Sequence, residues 1–243
     1  MKRLTFAILA VLAMALSACT LGDYAPHPQT VGSGKLQTQP FNYADFTEVQ
    51  IGNAFQVEIA QASTFSVVVT TDDNLFEHLR VVKQGNALHI FYTPNANIRP
   101  SSGAKATITL PTLTRLNLSG ATNGTLTGFK SEQNFDAAIS GASKLRGEIE
   151  AGNARIEATG ASTVTLTGSA NNATFIASGA SQLHLDNFAV ENANVELSGS
   201  SNGSVNAKSK LDYNASGASH LIYLGNPKMG KSQTSGASSA RPK

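Results

Sequence analysis

From Arg115 onward, apolar residues tend to fall on every second position, and the alternation is broken at regular steps by Ser-Gly-Ala-Ser or a close variant of it. Copies open at Ser119, Ser140, Thr159, Ser178, Ser198, Ser216 and Ser235, so successive steps are 21, 19, 19, 20, 18 and 19 residues. Two positions before the glycine of each copy stand Leu118, Ile139, Ala158, Ala177, Leu197 and Ala215; four before it stand Leu116, Ala137, Ile156, Phe175, Val195 and Tyr213. Looser columns follow the glycine, with Leu145, Val164, Leu183 and Leu221 four positions on and Leu126, Leu166, Leu185, Val205 and Tyr223 six positions on. Gly124, Gly147 and Gly203 interrupt them.

A side-chain period of two marks extended strands, and columns that recur once per unit mean that equivalent residues of successive units stack. A unit of about 19 residues cannot bury its apolar side alone; stacking on copies of itself does so. The predicted fold is therefore all-β. It is a parallel β-helix with one unit per coil, right-handed by the usual chirality of β-crossovers, each strand bonded to the one below at roughly 4.8 Å. No proline occurs between Pro111 and Pro227, as required where every strand donates its amides to a neighbour. Gly120, Gly141, Gly160, Gly179, Gly199, Gly217 and Gly236 are the expected coil corners, since glycine takes positive φ at no steric cost. Continued alternation would turn the second serine of each copy inward, whereas a corner at the glycine would turn the alanine inward instead.

Residues 41–112 keep the period of two without the repeat, and read as a β-rich cap region ahead of the β-helix at 113–238, with a tail at 239–243. Phe46, Val49, Ile51 and Phe55, Val57, Ile59 read as paired short strands around Gly52-Asn53. Further strands are expected at 65–70, 79–83, 87–92 and 104–110, with a hairpin turn at Gly85-Asn86. Asp72 to Leu79 reads as one or two helical turns with an aspartate as the N-cap.

The N-terminus concerns address rather than fold. Lys2-Arg3 is a short basic stretch, Leu4 to Leu16 is apolar, and Leu16, Ser17, Ala18 and Cys19 follow in the order of a secretory signal ending in a lipoprotein cleavage box. The Cys19 thiol is the expected attachment point for a diacylglyceryl group, and more than one acyl chain makes membrane anchoring stable. Signal peptide at 1–18 and lipidated tether at 19–40, rich in Gly and Pro, follow from this reading. Thr20 rather than Asp after the cysteine points to an outer-membrane, envelope location where the cell has two membranes.

Setting aside Lys2 and Arg3, the chain's 18 basic and 16 acidic residues come into balance. That removes the electrostatic footprint of a nucleic-acid binder. His27, His78, His89, His184 and His220 stand in unrelated contexts, without a second ligand at metal spacing, so neither a metal nor a cofactor is expected. Gly199-Ser200-Ser201-Asn202-Gly203 matches the nucleophile-elbow pattern by letter, but it is one copy of the repeat with no helix after it. Glu148, Glu150, Glu157, Asp186, Glu191 and Glu196 mostly occupy different offsets from the glycine and read as solvated outer-face residues, so no catalytic residue is assigned.

Phe46-Thr47-Glu48-Val49-Gln50-Ile51-Gly52-Asn53-Ala54-Phe55-Gln56-Val57-Glu58-Ile59, the later Asp72-Asp73-Asn74-Leu75, the serial Ser-Gly-Ala-Ser units and Gly225-Asn226-Pro227 together resemble a bacterial family described as "putative auto-transporter adhesin, head GIN domain". The resemblance covers 41–238. It implies an adhesin-like module; the secretion signal, the tether, the lack of catalytic chemistry and the neutral, hydroxyl-rich surface fit a non-catalytic binding module with glycans or envelope proteins as partners, alongside the membrane through Cys19. A self-associating envelope scaffold is the alternative, and a carbohydrate-active enzyme the third class.

Overall fold

The computed structural model describes residues 29–94 and 96–243; Leu16, Ser17, Ala18, Cys19 and His27 lie outside the described residues. In chain order the strands are β1 (Gln29–Val31), β2 (Leu36–Phe41), β3 (Glu48–Ile51), β4 (Gln56–Gln61), β5 (Ser66–Asp72), β6 (Leu79–Gln84), β7 (Ala87–Tyr92), β8 (Asn97–Arg99) and β9 (Lys105–Leu110). The repeat region adds β10 (Arg115–Leu118), β11 (Asn123–Lys130), β12 (Phe135–Ile139), β13 (Lys144–Ala158), β14 (Thr163–Ala177), β15 (Gln182–Leu197), β16 (Asn202–Ala215), β17 (His220–Leu224), β18 (Lys228–Thr234) and β19 (Ser239–Pro242).

The repeat region is a β-solenoid of parallel coils, as the columns require. One leg precedes each Ser-Gly-Ala-Ser corner and another follows it, so that β13 to β16 each carry the leg after one corner and the leg before the next. Before the corner, Leu116 stands beside Ala137, Ala137 beside Ile156, Ile156 beside Phe175, Phe175 beside Val195 and Val195 beside Tyr213. After it, Leu145, Val164, Leu183, Gly203 and Leu221 form the matching row. These rows fill the interior, where Phe175 and Phe188 meet edge to face with ring centres 6.3 Å apart.

The corners explain the tetrapeptide. Each corner glycine has φ between +63° and +77°. From Gly160 on, each also lies so close to the glycine one coil below that a Cβ at Gly179 would stand 2.5 Å from the Gly160 carbonyl oxygen. The next residue donates its amide to that carbonyl, as Ala180 does to Gly160 at 2.7 Å. The second hydroxyl residue turns inward: Thr122, Ser143, Ser162, Ser181, Ser201 and Ser219 are fully buried, while the alanines are exposed. Most of these hydroxyls donate to the carbonyl three residues back, as Ser181 does to Ser178 at 2.9 Å, so their burial leaves no donor unpaired.

The N-terminal region continues the same stack. Parallel pairing of β3 with β10 and β7, and of β4 with β11 and β9, makes 48–61 a corner flanked by two legs of a coil. This corrects the expectation that β3 and β4 pair with each other: a positive-φ turn at Asn53 and Ala54 sends the chain round a coil instead of back along itself. Antiparallel strands then cover this end, β6 on β7, β5 on β9 and β2 on β5. The hairpin expected at Gly85-Asn86 is present, with Gln84 opposite Ala87.

Residues 29–40, read from composition as the end of a tether, contribute β1 and all of β2 but its last residue, Phe41. Residues 239–242, read as tail, pair as β19 with β17. Only a 3-10 turn, Asp73–Leu75, stands where helical turns were expected, and Asp72 makes no side-chain cap to it. The Asp72 carboxylate is fully buried and accepts from the backbone N–H groups of Gly34 at 2.8 Å and Ser101 at 2.9 Å. It pins the start of β2 to the approach of β9, and Gly32 has no room for a side chain beside it.

Candidate functional site

A shallow groove runs along the legs that precede the corners. Its central part, of about 600 Å³, crosses β12 to β16, and further depressions adjoin it toward β10 and toward β18. Two outward columns form its walls.

One wall is a ladder of amides. The Asn153 Nδ2 donates to Asn134 Oδ1 at 2.9 Å, Asn172 Nδ2 to Asn153 Oδ1 at 2.8 Å, and Asn192 Nδ2 to Asn172 Oδ1 at 2.9 Å. Parallel, in-register legs bring identical side chains over one another once per coil, which is the arrangement an amide ladder needs. The other wall passes from Asp136 through Arg155, Thr174 and Asn194 to Asp212. Between the walls lie Ala154, Ala173 and Ala193; their methyls point into the core, so backbone forms the floor.

Most charges along the groove are matched within the protein. Arg115 stands between Glu48 at 3.2 Å and Asp136 at 3.5 Å, Arg155 is 3.1 Å from Glu157, and Lys210 is 2.7 Å from Asp212. The Lys210 ammonium, followed by the backbone N–H of Lys231, holds the Asp212 carboxyl below the usual carboxylate range.

The acids weighed as catalytic candidates do not converge. Glu150 pairs with Lys130 at 2.8 Å, and Glu191 with Lys208 at 3.6 Å. Asp186 takes hydrogen bonds from the Ser204 hydroxyl and Lys243, and its carboxyl is lowered by both, Ser204 first. Ser201, the serine of the nucleophile-like match, is buried and donates to the Ser198 carbonyl at 2.9 Å. A hydroxyl so enclosed has no access to a substrate. Among the described residues no group of three His, Cys, Asp or Glu side chains is placed to hold a metal ion.

The corner glycines, singled out by the repeat, serve the coil and not the groove. The asparagine column escaped the reading of apolar periodicity, although Asn134, Asn153, Asn172 and Asn192 recur at steps of 19, 19 and 20 residues, in phase with the corners.

A comparison with curated proteins gives no match. Solved structures match well in shape. A "putative adhesin" from Bacteroides fragilis superposes with a TM-score of 0.83 at 19% identity, covering 88% of this chain and 100% of that one. A "putative lipid binding protein" from Parabacteroides distasonis gives 0.73 at 20% identity, covering 89% and 100%. A "putative adhesin" from Parabacteroides merdae gives 0.67 at 16% identity, covering 88% and 99%. At such identities the likeness establishes the fold. The family model described as "putative auto-transporter adhesin, head GIN domain" matches residues 45–227, and the chain belongs to that family.

Proposed function

We propose that this chain is a non-catalytic, adhesin-like binding module of a bacterial envelope, carried on a lipid anchor at Cys19 and presenting the groove of its pre-corner legs to a ligand. The observation that carries this reading is the groove itself. It runs continuously across successive coils and is walled by hydrogen-bonding side chains, while the acids and serines weighed as catalysts are paired, scattered or buried. A rigid stack of parallel legs repeats the same recognition groups at fixed spacing, which suits a long partner better than a small one. The order of residues from Lys2 to Cys19 supports secretion and lipidation, and Thr20 supports delivery to an outer membrane.

Two experiments test the reading. Purified protein is expected to bind isolated cell envelopes or host surfaces saturably; linear, non-saturating uptake on every surface would defeat it. Metabolic labelling with a fatty acid is expected to mark the unsubstituted protein and not Cys19→Ser, and label retained in the variant would remove the anchor.

A further inference from the structure

We infer that the groove's ligand is an uncharged, hydroxyl-rich polysaccharide strand lying along the axis of the coils, an inference that rests on the binding-module reading above. An asparagine amide has two N–H donors and an oxygen with two lone pairs. In Asn153 and Asn172 the ladder uses one donor and one lone pair of each, leaving one donor and one acceptor per rung at exposed side chains. Each rung therefore offers a donor next to an acceptor, the complement of a hydroxyl, which is both at once. The rungs recur with the strand spacing of roughly 4.8 Å, so the site has the repeat of a polymer.

Charge decides which polymer. Each ion-pairing group of the central groove already has a partner: Asp136 has Arg115, Arg155 has Glu157, and Lys210 has Asp212. An acidic polysaccharide or a nucleic acid would have to break these pairs, whereas a neutral chain leaves them intact. A folded protein partner fits less well, because protein interfaces centre on aromatic and apolar anchors, and the central floor is backbone between the asparagine ladder and the wall of Asp136, Arg155, Thr174, Asn194 and Asp212.

The test uses the purified protein with linear oligosaccharides of two to eight units built from glucose, mannose or N-acetylglucosamine, and with heparin and polygalacturonate fragments as charged arms. Calorimetric titration is expected to show affinity for at least one neutral series, rising with length to about four or five units and changing less than about twofold between 50 mM and 500 mM salt, since screening acts on charges. Asn194→Trp, which fills the groove from an exposed position, is expected to weaken binding at least tenfold. His184→Trp, exposed on the other leg of β15, is expected to leave it unchanged. Asn172→Asp breaks the ladder and is expected to weaken binding similarly; should it fold poorly, Asn194→Trp still decides.

Binding confined to the charged fragments, or equal loss from both tryptophan variants, would overturn the inference while leaving a binding module in place. Saturable binding to envelopes that none of the neutral series competes for would do the same. Failure to bind either the oligosaccharides or any envelope or host surface would overturn both.

Discussion

At Gly179 two demands meet in one residue. Its φ of +76° is a left-handed backbone, and a Cβ there would stand 2.5 Å from the carbonyl oxygen of Gly160, an atom held in place by the coil below. Gly85 shares only the first demand, with a φ of +58° and nothing within 4 Å of its Cβ position. Substituting alanine at Gly85 is therefore expected to cost about 1–2 kcal/mol, the penalty of the left-handed backbone alone. Gly179→Ala is expected to cost that plus the clash, and so to lower the melting temperature at least twice as far. Equal shifts in the two variants would show that the corners need only the backbone conformation and not the close stacking of coils. The inward serines obey the same local logic. With its hydroxyl on the Ser178 carbonyl, Ser181 can be buried without an unpaired donor, which alternation along the strand allowed but did not select.

At the scale of the coil, alternation on the post-corner legs has a direct test. Val164 is fully buried between Leu145 and Leu183 of the neighbouring coils, whereas the adjacent Thr165 faces outward beside Arg146 and His184. An unpaired carboxylate in the first position is expected to cost several kcal/mol or prevent folding, and in the second about 0.5 kcal/mol or less. Chemical denaturation of Val164→Asp and Thr165→Asp reads both, and similar losses would undo the assignment of faces. The last coil responds to acid as well. Asp212 ties β16 to β18 by accepting from the Lys231 backbone N–H at 2.6 Å while Lys210 sits on its other oxygen at 2.7 Å. Because its folded pKa lies below the ordinary value of about 3.9, this contribution is fully present above that value and is lost as pH falls through the folded one. Hydrogen exchange between pH 5 and pH 2.5, corrected for the intrinsic rate, is therefore expected to show β18 opening before β14; simultaneous opening would deny Asp212 this role. The coil was legible in the sequence because its interior repeats: Leu116, Ile156 and Phe175 keep one phase to the corner. The strands β1 and β2 were not, because Leu36–Phe41 is nearly all exposed and pairs with β5, so no apolar rhythm marks it. The groove stayed hidden for a related reason: its asparagines keep the phase of the coil but contribute no apolar signal.

The two ends of the molecule meet solvent differently, and this bears on whether it stacks on itself. At the N-terminal end, β2, β5 and β6 run antiparallel over the first coil and interrupt the parallel pattern that another copy would need to continue. At the C-terminal end the last legs, β18 and β19, pair only with β16 and β17 among the described residues, so each keeps one edge without a strand. Unpaired edges invite pairing, and charge and proline are common protections against it. This coil carries Lys228 and Lys231 on β18 and Arg241 and Pro242 on β19. Its inward positions also change from Leu211, Tyr213, Ala215 and Leu221 to Met229, Ser232, Thr234 and Ala240, so that of these four only Met229 offers an incoming coil a large apolar side chain to bury. A scaffold growing end to end would need the opposite chemistry at this face. Replacing Lys228, Lys231 and Pro242 together with valine is therefore expected to raise the mass seen by light scattering as concentration increases, while the unsubstituted protein keeps a constant mass. An unsubstituted protein that itself grows with concentration would favour the scaffold reading, and a triple variant that does not would show that these residues are not what keeps the end closed.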